Sequence, residues 1–415
     1  MSKQRNIIVI DLKAFYSYVE CIDRNLDPWT TPLVVADKER GQNTIVLSVS
    51  PYLKSKGIPS RLRIKELPKG YDYIYATPRM ERYIEKSAEV VGVFLNFVSE
   101  EDIHVYSIDE AFIDITTYLS YYKMTALQLT ETIIKEIKEK TGLQATAGIG
   151  DNMFLAKVAL DVFAKTAKNG IATLREKDVK TKLWPITPLS KIWGIGARTE
   201  AKLNNLGIFT IGDLANSNKD YLIKIFGIMG EQLYEHANGH DEADMHEVYI
   251  PKENSFSLGQ ILFRDFKIEE AITILREMCD DLSSRLREER KLTNVVGLYI
   301  QYSGNKGGFA RQMSLLSPTN DRDVLFKALL EIYRKYVEDK PIRGIHIAFG
   351  KLQAQQYQQL NVFDDLKDQV NNYELQLTID DIHKKFGKNI LLRASALTDS
   401  STVMERNNQI GGHRR

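Results

Sequence analysis

Ile7-Ile8-Val9-Ile10-Asp11 and Tyr106-Ser107-Ile108-Asp109-Glu110-Ala111-Phe112 are the stretches on which the fold of this chain turns. The first is an unbroken apolar run that ends at an acid, the pattern of a buried strand closed by a carboxylate. In the second, His104–Ser107 and Ala111–Ile115 read as two strands that meet at Asp109-Glu110. Between and beyond them the spacing predicts a helix over Ala14–Arg24, with Phe15, Val19 and Ile22 on one face, and another over Arg82–Phe97. An amphipathic helix over Thr125–Lys140, a strand over Ala145–Ile149 and a helix over Met153–Phe163 follow. Residues 28–68 break into short pieces with a strand near Ile45–Val49, and read as an insertion. Without it the order is β-α-β-β-α-β, a ferredoxin-like arrangement that builds an antiparallel sheet.

Pro185 and Pro188 precede a helical stretch over 192–237, and polar residues His240–Asn254 follow it. The same β-α-β-β-α-β order then appears again without sequence repetition. Strands are expected near Phe256–Leu262, Asn294–Tyr302, Gly308–Leu315 and Ile342–Gly350, with helices over Glu269–Lys291 and Arg322–Val337. After Lys351 the chain turns polar and glutamine-rich, which predicts a tail with a short helix near Asp380–Phe386. The fold class is therefore α+β and multidomain.

Composition excludes more than it assigns. The 43% apolar and 27% charged residues are an ordinary globular mixture. No apolar run is long enough to span a bilayer, and Asp11 and Lys13 interrupt the start where a secretory signal needs an apolar core. The two cysteines, Cys21 and Cys279, form neither a disulfide framework nor a metal-ligand spacing, as expected in a reducing cytoplasm. Fifty-six basic against fifty-five acidic residues give +1, so any nucleic-acid surface must come from segregated charge.

Asp11, Asp109 and Glu110 carry the chemistry. If the strands bring them to one edge, they repel until cations neutralise them. Oxygen ligands with no His or Cys beside them select Mg²⁺, with Mn²⁺ as an alternative. Two such ions activate an attacking hydroxyl and steady a leaving oxygen in phosphoryl transfer. From residues alone a blander reading stays open: Asp11 caps a helix and Asp109-Glu110 is a hairpin turn. Strand alternation also sets adjacent residues on opposite faces, so Asp109 and Glu110 share a site only if the turn distorts that alternation.

Asp11-Leu12-Lys13-Ala14-Phe15-Tyr16-Ser17-Tyr18-Val19-Glu20 and the Tyr106–Phe112 stretch resemble the two catalytic motifs of the Y-family DNA polymerases. The resemblance covers roughly the first 350 residues. It is strongest toward the catalytic subunit of bacterial DNA polymerase V and, closer still, the UV-resistance proteins of Gram-positive bacteria, their phages and plasmids. It implies a right-hand polymerase with a ferredoxin-like palm (1–25 and 77–165), small fingers (26–76) and a helical thumb with a helix-hairpin-helix (166–240). A linker (241–253), a βαββαβ little finger (254–353) and a tail (354–415) complete it. Asp11 and Asp109 would bridge two Mg²⁺ ions, the Leu12 carbonyl would complete one site, and Glu110 would lie by the primer terminus. Lys13 departs from the acid or Asn of many relatives and is not taken as a ligand.

For substrate, the resemblance implies Phe15 and Tyr16 under the sugar, with Tyr16 as the steric gate. Lys54 and Lys157 would meet the triphosphate, while Pro51 replaces a tyrosine that many relatives use there. Gly194-Ile195-Gly196 has the form of a helix-hairpin-helix that grips phosphate without reading sequence. Arg264, Lys306 and Arg311 could face phosphate from the little finger. Gln359-Leu360-Asn361-Val362-Phe363 resembles the bacterial sliding-clamp pentapeptide, with Gln359, Leu360 and Phe363 as anchors. The last stretch, from Phe386-Gly387-Lys388 through Gln409–Arg415, resembles the end of the Gram-positive group, where contact with a recombinase filament or another repair protein follows only by analogy. The expectation is an error-prone translesion DNA polymerase of the SOS response, with primer–template DNA, dNTPs and the clamp as partners and no membrane. The alternatives are a catalytically silent DNA- and clamp-binding scaffold, and a nucleotide cyclase on a related palm.

Overall fold

The computed structural model describes residues 5–247, 254–304, 306–356 and 365–415, in two compact units, Met1–Val248 and Tyr249–Arg415. In chain order the first unit contains β1 (Ile7–Leu12), α1 (Phe15–Asp23), β2 (Leu33–Val35), β3 (Ser48–Val49), α2 (Pro51–Ser55), β4 (Ile74–Ala76) and α3 (Met80–Phe94). It continues with β5 (Ile103–Val105), β6 (Glu110–Asp114), α4 (Tyr118–Tyr122), α5 (Ala126–Thr141), β7 (Ala145–Gly150), α6 (Met153–Val158) and β8 (Ile171–Leu174). Four short helices close it: α7 (Ala197–Asn205), α8 (Ile211–Ala215), α9 (Lys219–Phe226) and α10 (Ile228–Ala237).

The apolar run of β1 lies at the centre of a sheet ordered β5-β6-β1-β7-β8. Its neighbours β6 and β7 are both antiparallel to it, and β8 adds parallel to β7. Alternation divides β1 between two cores. Ile8, Ile10 and Leu12 pack with Phe15, Val19, Tyr83, Val90 and Ile133 from the helices of one face. Ile7 and Val9 join Phe112, Met153, Ala156 and Leu160 on the other. Asp11 shares the parity of Ile7 and Val9, and it pairs with Glu110 across β1 and β6. Both acids are thus carried on the sheet face that α6 covers.

Two glycines let α6 lie directly on β7. A Cβ at Gly148 would meet the Ala156 carbonyl oxygen at 2.0 Å, and one at Gly150 would meet the Ala156 nitrogen at 2.3 Å. The helix expected over Met153–Phe163 is α-helical only to Val158 and continues as a π-helical turn over Ala159–Phe163. The insertion forms its own small sheet, β3-β2-β4, over a core of Val34, Val46, Val49, Leu53 and Ile64. Helices α7 to α10 enclose another core with Ile195, Leu203, Leu214, Leu222 and Leu233.

The second unit runs β9 (Phe256–Phe266), α11 (Ile268–Glu288), β10 (Lys291–Tyr302), β11 (Gly308–Thr319), α12 (Arg322–Tyr336), β12 (Ile342–Gly350) and β13 (Gln353–Ala354). Its sheet is ordered β11-β10-β12-β9, and α11 and α12 cover one face through Leu275, Met278, Leu282, Leu329 and Ile332. Beyond lie α13 (Leu366–Phe386), α14 (Val403–Asn407), β14 (Gln409–Ile410) and β15 (His413–Arg414).

The stretch after Lys351 is far more ordered than a polar tail with a short helix. Helix α13 has 21 residues and is held by the buried Arg287. That guanidinium donates to Asp380 Oδ2 at 2.6 Å and to Gln376 Oε1 and the Asn320 carbonyl at 3.0 Å. Arg393 and Arg406 then pair with Asp280 and Asp281, and Ser401 donates to Glu277, all on α11. Polar recognition replaces an apolar stripe here, so periodicity gave no signal. The chain ends in a two-residue hairpin. Gly411 and Gly412, with φ of 59° and 82°, supply the positive angles its turn requires.

Candidate active site

Asp109 lies in the bend before β6 rather than in a strand. The alternation that would have separated it from Glu110 therefore does not apply. Tyr106 and Ser107 both donate their amides to the Glu110 carbonyl at 3.0 Å, which folds the turn tightly. Ser107 Oγ donates to Asp109 Oδ1 at 2.8 Å, and the Leu12 amide donates to the Asp109 carbonyl at 2.9 Å. The two motifs are thus bonded to each other through the backbone, and all three acids interact. Burial, with Asp109 and then Glu110 adding repulsion, raises the Asp11 carboxyl to about 7.

Glu110 has a partner. Lys157, on α6, approaches its carboxylate at 2.9 Å and also pairs with Asp161 at 3.0 Å. Burial raises the Glu110 carboxyl and Lys157 opposes that rise. Lys157 is only 7% exposed, so it does not stand free for a triphosphate as expected from the sequence; it neutralises Glu110. Among the described residues, no three His, Cys, Asp or Glu side chains are gathered as a ready metal cage. The oxygen-only donor set nevertheless suits Mg²⁺ or Mn²⁺, and the repulsion at Asp11 is what such an ion relieves.

Lys165 is the residue that sequence reading missed. It follows the π-helical turn, pairs with Asp161 at 3.1 Å, and its side chain is 57% exposed. Its charge acts on both Asp11 and Lys54. Desolvation lowers the Lys54 ammonium; Asp11 opposes that shift and Lys165 adds to it. Lys54 from α2 and Lys165 from beyond α6 thus flank the acids from two parts of the chain. Lys157, Asp161 and Lys165 follow one another at i, i+4 spacing, so a single acid links the lysine at Glu110 to the one beyond it.

Phe15 is core, 2% exposed. Tyr16 is half-buried, edge-on to Tyr83 at 4.9 Å. Burial raises its phenol, Asp109 adds to the rise and Arg61 opposes it. Tyr16 is thus within electrostatic reach of both Asp109 and Arg61, the latter a residue the sequence reading did not single out. Ala14, just before α1, adopts φ 48°, ψ 41°, a left-handed conformation uncommon for a residue with a Cβ and typical of functional turns. Ser17 Oγ donates to its carbonyl at 2.9 Å and steadies it.

Gly194 and Gly196 have no atom within 4 Å of a notional Cβ. Gly196 caps α7 without a side-chain bond, so that end is open to an incoming group. Ile195 is 5% exposed and packs inward, which leaves only its backbone for contact. In the second unit Arg264 is bound to Glu270 at 2.6 Å and lies over the Phe266 ring at 3.8 Å. Arg311 is opposite Leu298 in register, on the helix-covered face, and sits over Tyr336 at 5.0 Å. Arg264 is thus held by an acid, which the sequence did not suggest, whereas Arg311 is exposed. Lys306 lies between β10 and β11. Gln359, Leu360 and Phe363 lie outside the described residues.

Comparison with known proteins places the chain in a family. Residues 10–161 match the impB/mucB/samB family, 254–362 match its C-terminal domain and 176–208 match its helix-hairpin-helix motif. The chain is 36% identical to a UV-damage repair protein, UvrX, of Bacillus subtilis, over 99% of this chain and 98% of that one. It is 31% identical to DNA polymerase IV 2 of the same organism, over 100% of both chains. Its fold matches a Y-family DNA polymerase chimera of Dbh and Dpo4 with a TM-score of 0.67 at 20% identity, covering 84% of this chain and 99% of the chimera. With acids, flanking lysines and hairpin in this order, the chain belongs to the impB/mucB/samB family of Y-family DNA polymerases.

Proposed function

We propose that this chain adds deoxynucleotides to a primer 3′-hydroxyl under direction of a template, by two-metal phosphoryl transfer, as an error-prone enzyme of DNA-damage tolerance and the SOS response. The observation that carries it is the joining of the two motifs. Asp11 is register partner of Glu110, and the Asp109 backbone is bonded to Leu12, so the three acids lie at one end of the central sheet within electrostatic reach of one another. Asp11 and Asp109, with the Leu12 carbonyl, would hold two Mg²⁺ ions, with Glu110 shared between the second ion and Lys157. Bound there, the ions would lower the pKa of the attacking hydroxyl and stabilise charge on the leaving oxygen.

The chain's own residues do the rest. Lys54 and Lys165 are placed to offset triphosphate charge that two divalent ions leave over. Tyr16, held by Phe15 and Tyr83, would sit under the incoming sugar and exclude a 2′-hydroxyl by shape. We assign 1–25 and 77–165 to the palm, 26–76 to the fingers, 166–240 to the thumb, 241–253 to the linker and 254–353 to the little finger. The segment 354–415 carries the clamp peptide. No helix among the described residues is long and apolar enough to cross a membrane, and both cysteines are buried and free.

Primer extension over undamaged, abasic and photodimer templates, with and without sliding clamp, tests this reading. Mg²⁺-dependent extension that passes at least one lesion, is enhanced by the clamp, and is abolished in Asp109→Ala is the expected result. Extension retained in Asp109→Ala would overturn the metal assignment. No extension by the parent protein would favour the scaffold reading.

A further inference from the structure

Tyr106 is 46% exposed, yet its position is closely specified. Its amide helps to close the turn that presents Asp109. Its ring stands edge-on to Phe112, with centroids 5.7 Å apart at 90°, and edge-on to Trp193, 5.9 Å apart at 81°. The Trp193 indole N–H donates to the Tyr106 hydroxyl at 3.2 Å. Trp193 is the residue immediately before Gly194-Ile195-Gly196. On its other side it lies nearly parallel to His236 of α10, 6.5 Å away, and His236 stacks on Phe154 of α6 at 4.2 Å. A row of rings therefore runs from α6 and α10, through the hairpin's tryptophan, to the turn that holds Asp109.

Core filling alone does not call for this arrangement. A ring that serves only packing is buried, whereas half of Tyr106 faces solvent and its hydroxyl is used for one directed bond. The backbone on either side of the contact is the functional part: a hairpin open to phosphate after Trp193, and the catalytic turn after Tyr106. Packed rings shift together rather than compress, so a displacement of the hairpin is felt at the turn.

We infer that Tyr106 and Trp193 are positioning residues that couple the hairpin's grip on duplex phosphate to the placement of Asp109. The inference rests on the polymerase reading above. It predicts a split in the kinetics: the contact governs the rate of incorporation once DNA is bound, and not the affinity for DNA.

The test is single-turnover primer extension at saturating DNA and dNTP by Tyr106→Phe, Trp193→Phe and the double variant, with the DNA Kd and Tm of each. Tyr106→Phe keeps the ring and removes only the acceptor. Trp193→Phe keeps a ring and removes the donor. Each single change is expected to slow incorporation about 3–10-fold, the equivalent of one hydrogen bond in the transition state. The double variant should be no slower than the worse single to within about twofold, because both remove one contact. DNA Kd and Tm should stay at the parent values. Parental rates in both singles, multiplicative losses in the double, or a defect confined to DNA Kd overturn the coupling while leaving the polymerase reading intact. A parent protein that fails to extend any primer sinks both readings, so the two failures are told apart.

Discussion

At Asp11 burial and charge repulsion act together on a single carboxylate. An apolar strand delivers its carboxylate into a partly desolvated position beside Asp109 and Glu110, and the group is held near 7 instead of its ordinary 3.8. A raised carboxyl pKa means that the folded state resists ionisation. Without a cation, stability is therefore lost as pH rises from about 4 towards 7. Asp11→Asn removes the repulsion. In EDTA at pH 8 it is expected to stabilise the protein by about 1–3 kcal/mol while abolishing extension; a lowered Tm would contradict this account. The place of Asp11 was legible in the sequence because a carboxylate at the end of an apolar run is conspicuous. Lys165 was not, because its charge reaches the site only through the path the chain takes after α6.

At the scale of elements, β7 and α6 show how closely backbones must approach to build the site. The Cβ of Gly148→Ala would fall 2.0 Å from the Ala156 carbonyl oxygen and 2.4 Å from the Leu160 nitrogen, contacts that no rotamer can relieve. This substitution should cost about 3 kcal/mol in urea unfolding. Gly196→Ala, with no atom near its Cβ and an extended backbone, should change stability by less than about 0.5 kcal/mol. Equal effects of the two would show that close packing of α6 on β7 is not the constraint. Along the same stretch Asp161 pairs at i,i+4 spacing with both Lys157 and Lys165. Strand and helix order was readable from apolar periodicity in both units. The extent of α13 was not, since its anchor is a buried arginine that reads Asp380 and Gln376.

Across the first unit as a whole, the residues that follow α10 are pinned back onto the central sheet. Asp241 accepts from the Phe154 amide at 3.0 Å, Met245 packs beside Ile7 and Val9, and Arg5 bonds Asp114 and Asp244. His246 is the last of these ties. Its Nδ1 faces Asp244 Oδ1 at 2.7 Å and its Nε2 faces Asp102 Oδ1 at 2.9 Å, while Tyr118 donates to the other Asp102 oxygen. Both ring nitrogens meet acceptors, so the contact is complete only in the imidazolium. Its pKa is raised by Asp102 and then Asp244. The tie therefore contributes fully below the ordinary histidine value of about 6.5 and is lost as pH rises through the higher folded value. A proton NMR titration, with His246→Gln to assign the resonance, should place His246 above the ordinary histidine value of about 6.5. Titration at or below the ordinary value would show that the two carboxylates do not hold it.

By itself the sequence determined that two sheets of β-α-β-β-α-β order exist, that Asp11 lies at the end of a buried strand, that Asp109-Glu110 fall where two strands meet, and that a glycine-flanked hairpin follows. Those features depend on local periodicity and on which residues tolerate burial, and both are written along the chain. The tertiary structure alone decided which charges meet. It gave Lys157 to Glu110, brought Lys54 and Lys165 to the acids, bound Arg264 to Glu270, and set the Trp193 ring against Tyr106. Such pairings depend on distance in space between residues far apart in the chain, and Coulomb energies fall with that distance rather than with sequence separation.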